Sequence, residues 1–455
     1  MNPITKYRIS TSTLRWLEVI LAERFGHEWR LSRVELCLCL ELEAATGAII
    51  FDSIQDCPPH VQPDQACTRW YPEREGWNAA LDDALPAPGV ALLPTPLIEK
   101  RGKDYLVHYD ILGLMYWVLA RIEEIGSKDL DNHNRFPATS SHAYKYNYLE
   151  RPIVDEWLHI LGQVIQRVWP QLKLKQHQFS IKLSHDVDSP SLYAFKSWPT
   201  IVRMMSGHLL RRHDLKAFVT APFVKLATGD KLHSVDPYNT FDWIMDQSEK
   251  YGLTSAFYFI CGQTKPVYDA DYKPGHPIIR ELIRRIHNRG HEIGIHPSYN
   301  TYIEPDLIKE EVERLKKICA KEHIEQSQWG GRMHYLRWEH PTTLQAWDAA
   351  GMTYDSTLGY ADQPGFRCGT CYEYPAFDPV TDRMLDLRIR PLIAMESTVI
   401  DDCYMGLGTG EAALSKFKQL KNACRAFNGS FTLLWHNSQL ETHAKRELYR
   451  HTLTS

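Results

Sequence analysis

The sequence lacks any long apolar run. No stretch approaches the ~20 consecutive apolar residues that a membrane-spanning helix needs. The first 30 residues carry charged side chains from Lys6 to Arg24 and contain no uninterrupted apolar core of the signal-peptide type. We therefore expect no transmembrane segment and a cytoplasmic location.

The chain also lacks a surplus of either charge. Its 455 residues include 52 basic and 56 acidic side chains, which gives a net charge of −4, and no long block has a single sign. A dedicated nucleic-acid-binding protein normally carries a basic surplus, so this composition excludes nucleic acid as the expected partner. The sequence contains no internal repeat and no low-complexity segment.

Cysteine motifs are scarce. The ten cysteines are scattered, and Cys57 is one of them. Cys368 and Cys371 have the spacing of a zinc knuckle or a redox pair, but a second such pair is missing, which favours two ordinary thiols. In a large chain without a secretion signal we expect all ten to be reduced.

The length and apolar content indicate two domains. A chain of 455 residues exceeds one typical domain, and 44% hydrophobic residues suffice for sizeable cores. Residues 1–175 indicate a mixed α/β domain with an irregular stretch over 52–100, and we place the boundary near residue 175. Strand-like runs then alternate with helix-like runs, which predicts βα units around a parallel sheet or barrel in residues 176–455. The strand-like runs are 179–183, 254–260, 292–296, 352–355, 384–387 and 430–435, and the helix-like runs are 277–289, 306–319 and 411–427.

Two aspartates follow the first of these strands. Asp186 and Asp188 are two residues apart, so they project to the same side of an extended chain. Paired carboxylates repel each other unless a cation or a proton offsets the charge. Asp188 is the first candidate metal ligand, with a helix or turn cap as its alternative. Asp186 would then be free to act as general base, although a second ligand or a structural aspartate remains open.

Later strands also end in polar residues. His296 and Asn300 would share one face if Pro297 opens a helix, and imidazole is a common zinc ligand, whereas asparagine offers only a neutral oxygen. Their alternatives are a strand-end histidine and a turn or cap residue. His436 follows the last strand and is the natural general acid, because its reference pKa is near 6.5. Catalytic residues of parallel βα folds collect at such strand ends.

The segment from Gly330 to Trp338 is dense in polar and aromatic groups. Arg332 is expected to pair with Asp186 and hold it ionised. Aromatic faces and planar donors suit carbohydrate, so this segment and the loop around Gly365 supply substrate candidates, with an ordinary buried strand as the alternative. The predicted substrate-binding residues are Tyr335, Arg337, Trp338 and Arg367.

Three of these motifs resemble the NodB-homology polysaccharide deacetylases, carbohydrate esterase family 4 and its relatives, over about residues 178–440. Ser184-His-Asp-Val-Asp188 resembles the Thr-Phe-Asp-Asp motif, and its inserted valine resembles relatives that deformylate a lipid-linked aminosugar. Gly290-His-Glu-Ile-Gly-Ile-His296 is similar to the second motif, and Leu433-Leu-Trp-His436 to the last. Residues 1–175 resemble the preceding domain of a bacterial branch associated with surface-polysaccharide gene clusters.

The resemblance implies a distorted (β/α)7 barrel. It implies Asp186 as base, Asp188 and His296 as ligands, and His436 as acid. Asn300 stands where a second histidine ligand is usual. The Arg-Pro-Pro-Tyr motif of the family is replaced by the segment around Arg332. The group that orients His436 is expected to be Asp355.

The predicted function is that of a metal-dependent carbohydrate deacetylase, with zinc as the expected divalent ion. It would remove an N-acetyl or similar acyl group from a lipid-linked, nucleotide-linked or oligosaccharide aminosugar in exopolysaccharide or glycolipid biosynthesis. One alternative is a retaining glycosidase, which pairs two carboxylates about 5–5.5 Å apart; Asp186 with Asp355 or Glu396 would be that pair. The other is a non-catalytic carbohydrate-binding protein, for which Asn300 is the best support.

Overall fold

The computed structural model describes four stretches of the chain, which are residues 9–34, 37–52, 65–211 and 213–454. Cys57 and part of the irregular stretch predicted for 52–100 lie outside them. The chain forms two compact units. The first contains the described residues up to Ser180 together with 358–393 and 419–431, and the second contains the described residues of 181–357, 394–418 and 432–454. The sequence predicts a single boundary near residue 175, whereas these units alternate along the chain.

The N-terminal part of the first unit is a mixed α/β arrangement. Its elements are α1 (Thr11–Phe25), β1 (Trp29–Val34), β2 (Cys37–Leu42), β3 (Ala48–Asp52), β4 (Cys67–Trp70), β5 (Leu85–Pro88), β6 (Ile98–Arg101), β7 (Asp104–Val107), α2 (Ile111–Leu119), α3 (His142–Lys145) and α4 (Ile153–Val168). Five strands form a sheet in the order β1-β2-β3-β7-β6, in which β3 and β7 run parallel and the other pairs antiparallel.

Local sequence signals explain the helices of this unit. Helix α1 begins where the Ser10 hydroxyl accepts a hydrogen bond from the Thr13 amide at 3.0 Å, and it ends at Gly26, whose φ of 82° suits only glycine well. Its buried face carries Trp16 and Ile20 at helical spacing. Helix α4 packs through an aromatic pair, in which Trp157 stacks on Trp70 with ring centroids 5.6 Å apart.

The remaining elements follow in chain order. They are β8 (Ser180–Val187), α5 (Trp198–Leu210), α6 (Leu215–Ala227), α7 (Phe241–Lys250), β9 (Ser255–Phe259), α8 (Pro277–Asn288), β10 (Glu292–Ile295), α9 (Pro305–Lys321), β11 (Gly330–Gly331), α10 (Thr342–Ala349), β12 (Tyr354–Asp355), β13 (Tyr374–Asp378), β14 (Arg383–Ile389), β15 (Ala394–Met395), α11 (Glu396–Ile400), α12 (Glu411–Ala426), β16 (Ser430–Leu434) and α13 (His443–Thr454). Strands β13 and β14 form an antiparallel pair within the first unit.

The second unit contains a parallel sheet, as the alternation of strands and helices predicts. Its strand order is β12-β11-β10-β9-β8-β16-β15, and the pairs β8 with β9, β9 with β10, β10 with β11, β11 with β12, and β15 with β16 are all parallel. Among the described residues no pairing joins β12 to β15, so the strands form an open row. The expected α/β class is confirmed, and the closed barrel stays a prediction. No helix in the described part of the chain is both long and apolar enough to cross a bilayer.

Candidate metal centre

Neighbouring parallel strands bring the predicted site residues to one edge of the sheet. Strand β8 ends just before Asp188, β10 ends just before His296, and β11 ends just before Arg332. Glycines allow the last two strands to approach closely. A Cβ on Gly331 would meet the Ile295 carbonyl oxygen at 1.9 Å, so no other residue fits there without a backbone shift.

Three side chains converge at this edge. Asp188, His296 and His334 each offer one ligand atom, and these atoms all lie within 4.8 Å of one another. The His296 Nε2 atom lies 3.3 Å and the His334 Nε2 atom 3.7 Å from the same oxygen, Asp188 Oδ1. That oxygen is buried and makes no hydrogen bond. A buried anionic oxygen between two imidazoles fits a divalent cation.

Both imidazoles are held by their other nitrogen. His296 Nδ1 lies 2.6 Å from the Arg332 carbonyl oxygen, and His334 Nδ1 lies 3.1 Å from Asp269 Oδ1. These acceptors favour the tautomer that protonates Nδ1, which leaves each Nε2 as a lone-pair donor facing Asp188. Asp269 also accepts hydrogen bonds from the backbone amides of Thr264 at 2.7 Å and Tyr299 at 2.7 Å, so its carboxylate is fixed in place.

The electrostatics of the three residues favour positive charge between them. Burial alone would raise the pKa of Asp188, but His334, His296 and His436 outweigh it and hold the pKa well below its usual range. Burial would likewise lower the pKa of His296, yet Asp186 and Asp188 raise it. The two carboxylates thus favour positive charge next to His296, which a divalent ion would also supply.

Asp186 lies beside this cluster and is paired with arginine. Its Oδ1 accepts a hydrogen bond from Arg332 Nη1 at 2.8 Å, and its Oδ2 lies 3.8 Å from His296 Nε2. Arg332 is fully buried and is fixed by further bonds to the Ser184 hydroxyl at 2.9 Å and the Ser356 carbonyl oxygen at 2.9 Å. The structure therefore places the two residues together as the sequence predicts, with the guanidinium rigidly held.

His436 faces the same cluster from the end of β16. Its Nε2 lies 3.7 Å from Asp188 Oδ2, and its Nδ1 lies 2.5 Å from Glu396 Oε1. Burial alone would lower the pKa of His436, but the fully buried Glu396 carboxylate, with help from Asp188 and Asp186, raises it to about 10. The group that orients His436 is thus Glu396. Asp355, expected in that role, accepts a hydrogen bond from the Thr357 amide at 2.8 Å instead.

Asn300 makes side-chain hydrogen bonds to two neighbouring residues. Its Oδ1, the only side-chain atom that could bind a metal, accepts a hydrogen bond from Arg337 Nη1 at 3.1 Å, and its amide nitrogen donates to the Thr264 carbonyl oxygen at 3.3 Å. Pro297 does not open a helix; the chain passes instead through a short 3-10 turn at Thr301–Ile303. Without that helix the i, i+4 argument for His296 and Asn300 does not apply, and Asn300 as a ligand stays a prediction. His334 supplies a third ligand atom beside Asp188 and His296.

The four predicted substrate-binding residues differ in exposure. Arg337 and Arg367 are 3% exposed and Trp338 is 4% exposed. Arg337 lies over the Tyr299 ring at 3.9 Å, and Arg367 belongs to the first unit, where it pairs with Glu124. Direct substrate contact by Arg337, Trp338 and Arg367 stays a prediction. Their burial does not favour it.

Tyr335 is the member of that set with a partly exposed ring. Its φ is 62° and that of Leu336 is 55°, so two consecutive non-glycine residues adopt the left-handed conformation. This costly turn places the Tyr335 ring 4.8 Å from the His334 ring and 5.3 Å from that of Tyr268. A strained turn maintained beside the converging ligands is typical of a functional site.

Comparisons with known proteins give limited matches. The model of a family of unknown function, DUF7033, matches residues 50–170. No curated protein matches the chain. A solved structure of a candidate polysaccharide deacetylase from Mycobacterium smegmatis is 15% identical, with a TM-score of 0.39, and the match covers 61% of this chain and 83% of that one. A solved structure of Puue allantoinase is 11% identical, with a TM-score of 0.36, and the match covers 60% of this chain and 82% of that one.

Proposed function

We propose that this protein is a metal-dependent hydrolase that removes an N-acetyl or similar acyl group from an aminosugar. One observation carries the proposal: Asp188, His296 and His334 bring three ligand atoms within 4.8 Å of one another. Asp186 lies 3.8 Å from His296, and His436 lies 3.7 Å from Asp188. Ligands, base and acid around one point are the parts that amide hydrolysis requires. The motif resemblance to the NodB-homology deacetylases supports the same reading.

The ion would be held by Asp188, His296 and His334. Two imidazoles and one carboxylate are a set that catalytic zinc prefers, so zinc is the proposed metal. A divalent ion at such a site supplies a Lewis acid and lowers the pKa of water. This assignment gives His334 the position that the sequence resemblance gives to Asn300.

Asp186 is the proposed general base. Arg332 donates a hydrogen bond to its Oδ1, so Oδ2, which lies 3.8 Å from His296 Nε2, is the oxygen that accepts the proton of the attacking water. Water oxygen bonds to the acyl carbon as that proton leaves. Because Arg332 is fully buried and bonded on several sides, the base keeps its orientation through the reaction.

His436 is the proposed general acid. Glu396 engages Nδ1, so the proton on Nε2 points toward Asp188 and the substrate. When the carbon–nitrogen bond breaks, that proton passes to the leaving amine, and the products are a free carboxylic acid and an aminosugar. Glu396 would stabilise the His436 imidazolium before the proton is transferred. It acts through His436 and is therefore a positioning residue.

The substrate is proposed to stack on Tyr335. Its partly exposed ring lies next to His334, and a flat aromatic face suits the apolar face of a sugar. We further propose a distorted (β/α)7 barrel, a cytoplasmic enzyme, and a lipid-linked, nucleotide-linked or oligosaccharide substrate of surface-polysaccharide or glycolipid synthesis. Residues 1–175 are proposed as an accessory domain.

The test measures acyl release from N-acetylated chito-oligosaccharides and UDP-N-acetylglucosamine by the zinc-loaded full chain. We expect Asp186→Asn and His436→Gln each to lower kcat/KM by about 10²–10⁴-fold. His443→Gln, which changes an exposed histidine of the same unit, should leave kcat/KM unchanged. Release of reducing sugar without acetate or formate would reject the proposal in favour of a glycosidase. Equal activity of all three variants would remove Asp186 and His436 from the mechanism.

A further inference from the structure

A helical hairpin follows the strand that carries the two aspartates. Helices α5 and α6 contain 13 residues each and lie between β8 and α7. They pack against each other through a small core, to which α5 contributes Ile201 and α6 contributes Ala221 and Val224. This core buries only the inner face of each helix.

The outer faces of both helices are apolar. Side chains of this kind recur at helical spacing and are between 38% and 73% exposed; they are Trp198, Val202, Leu209, Leu210, Leu215, Val219, Phe223 and Leu226. In α6 the spacing is four, four and three residues, which places Leu215, Val219, Phe223 and Leu226 on one stripe. A continuous exposed stripe of large apolar residues indicates a binding surface, whereas isolated exposed residues do not.

The same hairpin is basic. Between residues 198 and 231 the sequence has six basic and two acidic residues, whereas the whole chain has more acidic than basic ones. Four of the basic residues, Arg203, Arg211, Lys216 and Lys231, are exposed. Apolar residues on an outer face combined with a local basic surplus are the signature of helices that lie in the interface of an anionic bilayer.

We propose that α5 and α6 dock the protein onto a membrane surface that contains anionic phospholipid. The helices lie on the bilayer and do not cross it, because 13 residues extend only about 20 Å against an apolar core of about 30 Å. The apolar stripes enter the acyl boundary, and the basic side chains contact the phosphate groups. This inference depends on neither the metal nor the reaction.

A consequence rests on the proposed function. Helix α5 begins ten residues after Asp188, so a docked hairpin ties the candidate site to the membrane by a short connection. Of the proposed substrate classes, a lipid-linked aminosugar would then be favoured. If the docking is present but the hydrolase assignment is wrong, vesicle binding persists while acyl release is absent, so the two failures are distinguishable.

The experiment is co-sedimentation of the full chain with two kinds of vesicle. One contains phosphatidylcholine alone, and the other contains phosphatidylcholine with about 30% of the anionic lipid phosphatidylglycerol. We expect binding to the anionic vesicles, and a loss of about tenfold or more in partitioning for Val219→Glu/Phe223→Glu. Arg203→Glu/Lys216→Glu should lower binding to the anionic vesicles by about tenfold. The matched control is Leu92→Glu/Leu130→Glu, which places the same charges at exposed leucines of the first unit and should bind as the original chain does.

Three results would overturn the inference. The first is absence of binding to either vesicle type. The second is binding that the Val219→Glu/Phe223→Glu change leaves intact. The third is self-association without vesicle binding, seen by light scattering and abolished by that double change, which would identify a second copy of the chain as the occupant. Because these residues are exposed, thermal unfolding should show all variants folded.

Discussion

Each compact unit buries a cluster of charged side chains, and the two clusters differ in what compensates the charge. In the first unit, Glu124 accepts hydrogen bonds from Arg367 at 2.6 Å and from Arg121 at 2.9 Å, and all three residues are at most 8% exposed. In the second unit, Asp188 faces His296 and His334, and one of its buried oxygens makes no hydrogen bond. In the first cluster arginine side chains donate hydrogen bonds to the carboxylate, whereas in the second the buried Asp188 oxygen faces two imidazole nitrogens and makes no hydrogen bond.

The partner of the carboxylate indicates whether a buried charged cluster stabilises the fold or could bind a ligand. A guanidinium keeps its charge at all relevant pH values and satisfies a carboxylate permanently, so the first cluster can only stabilise the unit. An imidazole gives up its proton near neutral pH and then offers a lone pair, so the second can exchange protons for a metal ion. Burial and charge alone do not identify a site; the chemistry of the partner does.

The largest expected effect is on stability and comes from the first cluster. Glu124→Gln leaves two buried arginines without their shared carboxylate, and we expect the free energy of unfolding to fall by about 3–5 kcal/mol. Urea titration measures this change. Metal content should stay the same, because the second cluster is untouched. Glu23→Gln is the control, since Glu23 pairs with Arg388 at the surface of the same unit and should contribute less than about 1 kcal/mol.

The pH dependence of the stability lost in Glu124→Gln tests whether the ion pairs of Glu124 cause that loss. Burial would raise the pKa of Glu124, but Arg367 and Arg121 outweigh it and lower the pKa to about 2. A depressed pKa stabilises the folded state above the unfolded value near 4.5, and this contribution disappears as the pH falls from there to about 2. The stability gap between the original chain and Glu124→Gln should therefore narrow over that range. A constant gap would mean that the ion pairs are not its source.

The next effect is on metal affinity and comes from the second cluster. His334→Gln removes one of three converging ligands, and we expect zinc affinity to fall by about a hundredfold or more, measured by competition with a chelator. Stability without metal should change little. Asn300→Ala is the matched comparison, because its oxygen already accepts from Arg337, and it should retain affinity within about threefold. If Asn300→Ala lowered zinc affinity more than His334→Gln did, Asn300 would be the ligand and His334 would not.

Much of the second unit follows from its sequence. The runs predicted at 254–260, 292–296 and 430–435 contain β9, β10 and β16, and the helices predicted at 277–289 and 306–319 coincide closely with α8 and α9. Fully buried parallel strands are short apolar runs between amphipathic helices, so periodicity identifies them. The run at 384–387 is β14, which pairs antiparallel with β13 in the first unit, because local pattern does not specify the partner strand.

The residues around the candidate metal centre were less predictable, for physical reasons. His334 follows a strand of two residues and precedes a turn with two positive φ values, and neither feature has a periodic signature. Glu396 likewise follows the two-residue strand β15. A position at the end of a short strand in a βα series was the available signal for both. The i, i+4 spacing suggested Asn300 instead, but that argument needed a helix that does not form.

The smallest effect concerns Asp269, which bonds to a candidate ligand and not to the metal position. Asp269→Asn keeps the hydrogen bonds to the backbone amides but removes the negative charge opposite His334 Nδ1, and we expect zinc affinity to fall by about tenfold. The loss should be smaller than that of His334→Gln and should vanish in a His334→Gln background, because the carboxylate acts only through that imidazole. An equal loss in both backgrounds would show that Asp269 holds the loop around Thr264 rather than the ligand. Asp269 would then stabilise the fold, as Glu124 does in the first unit, and would not orient a metal ligand.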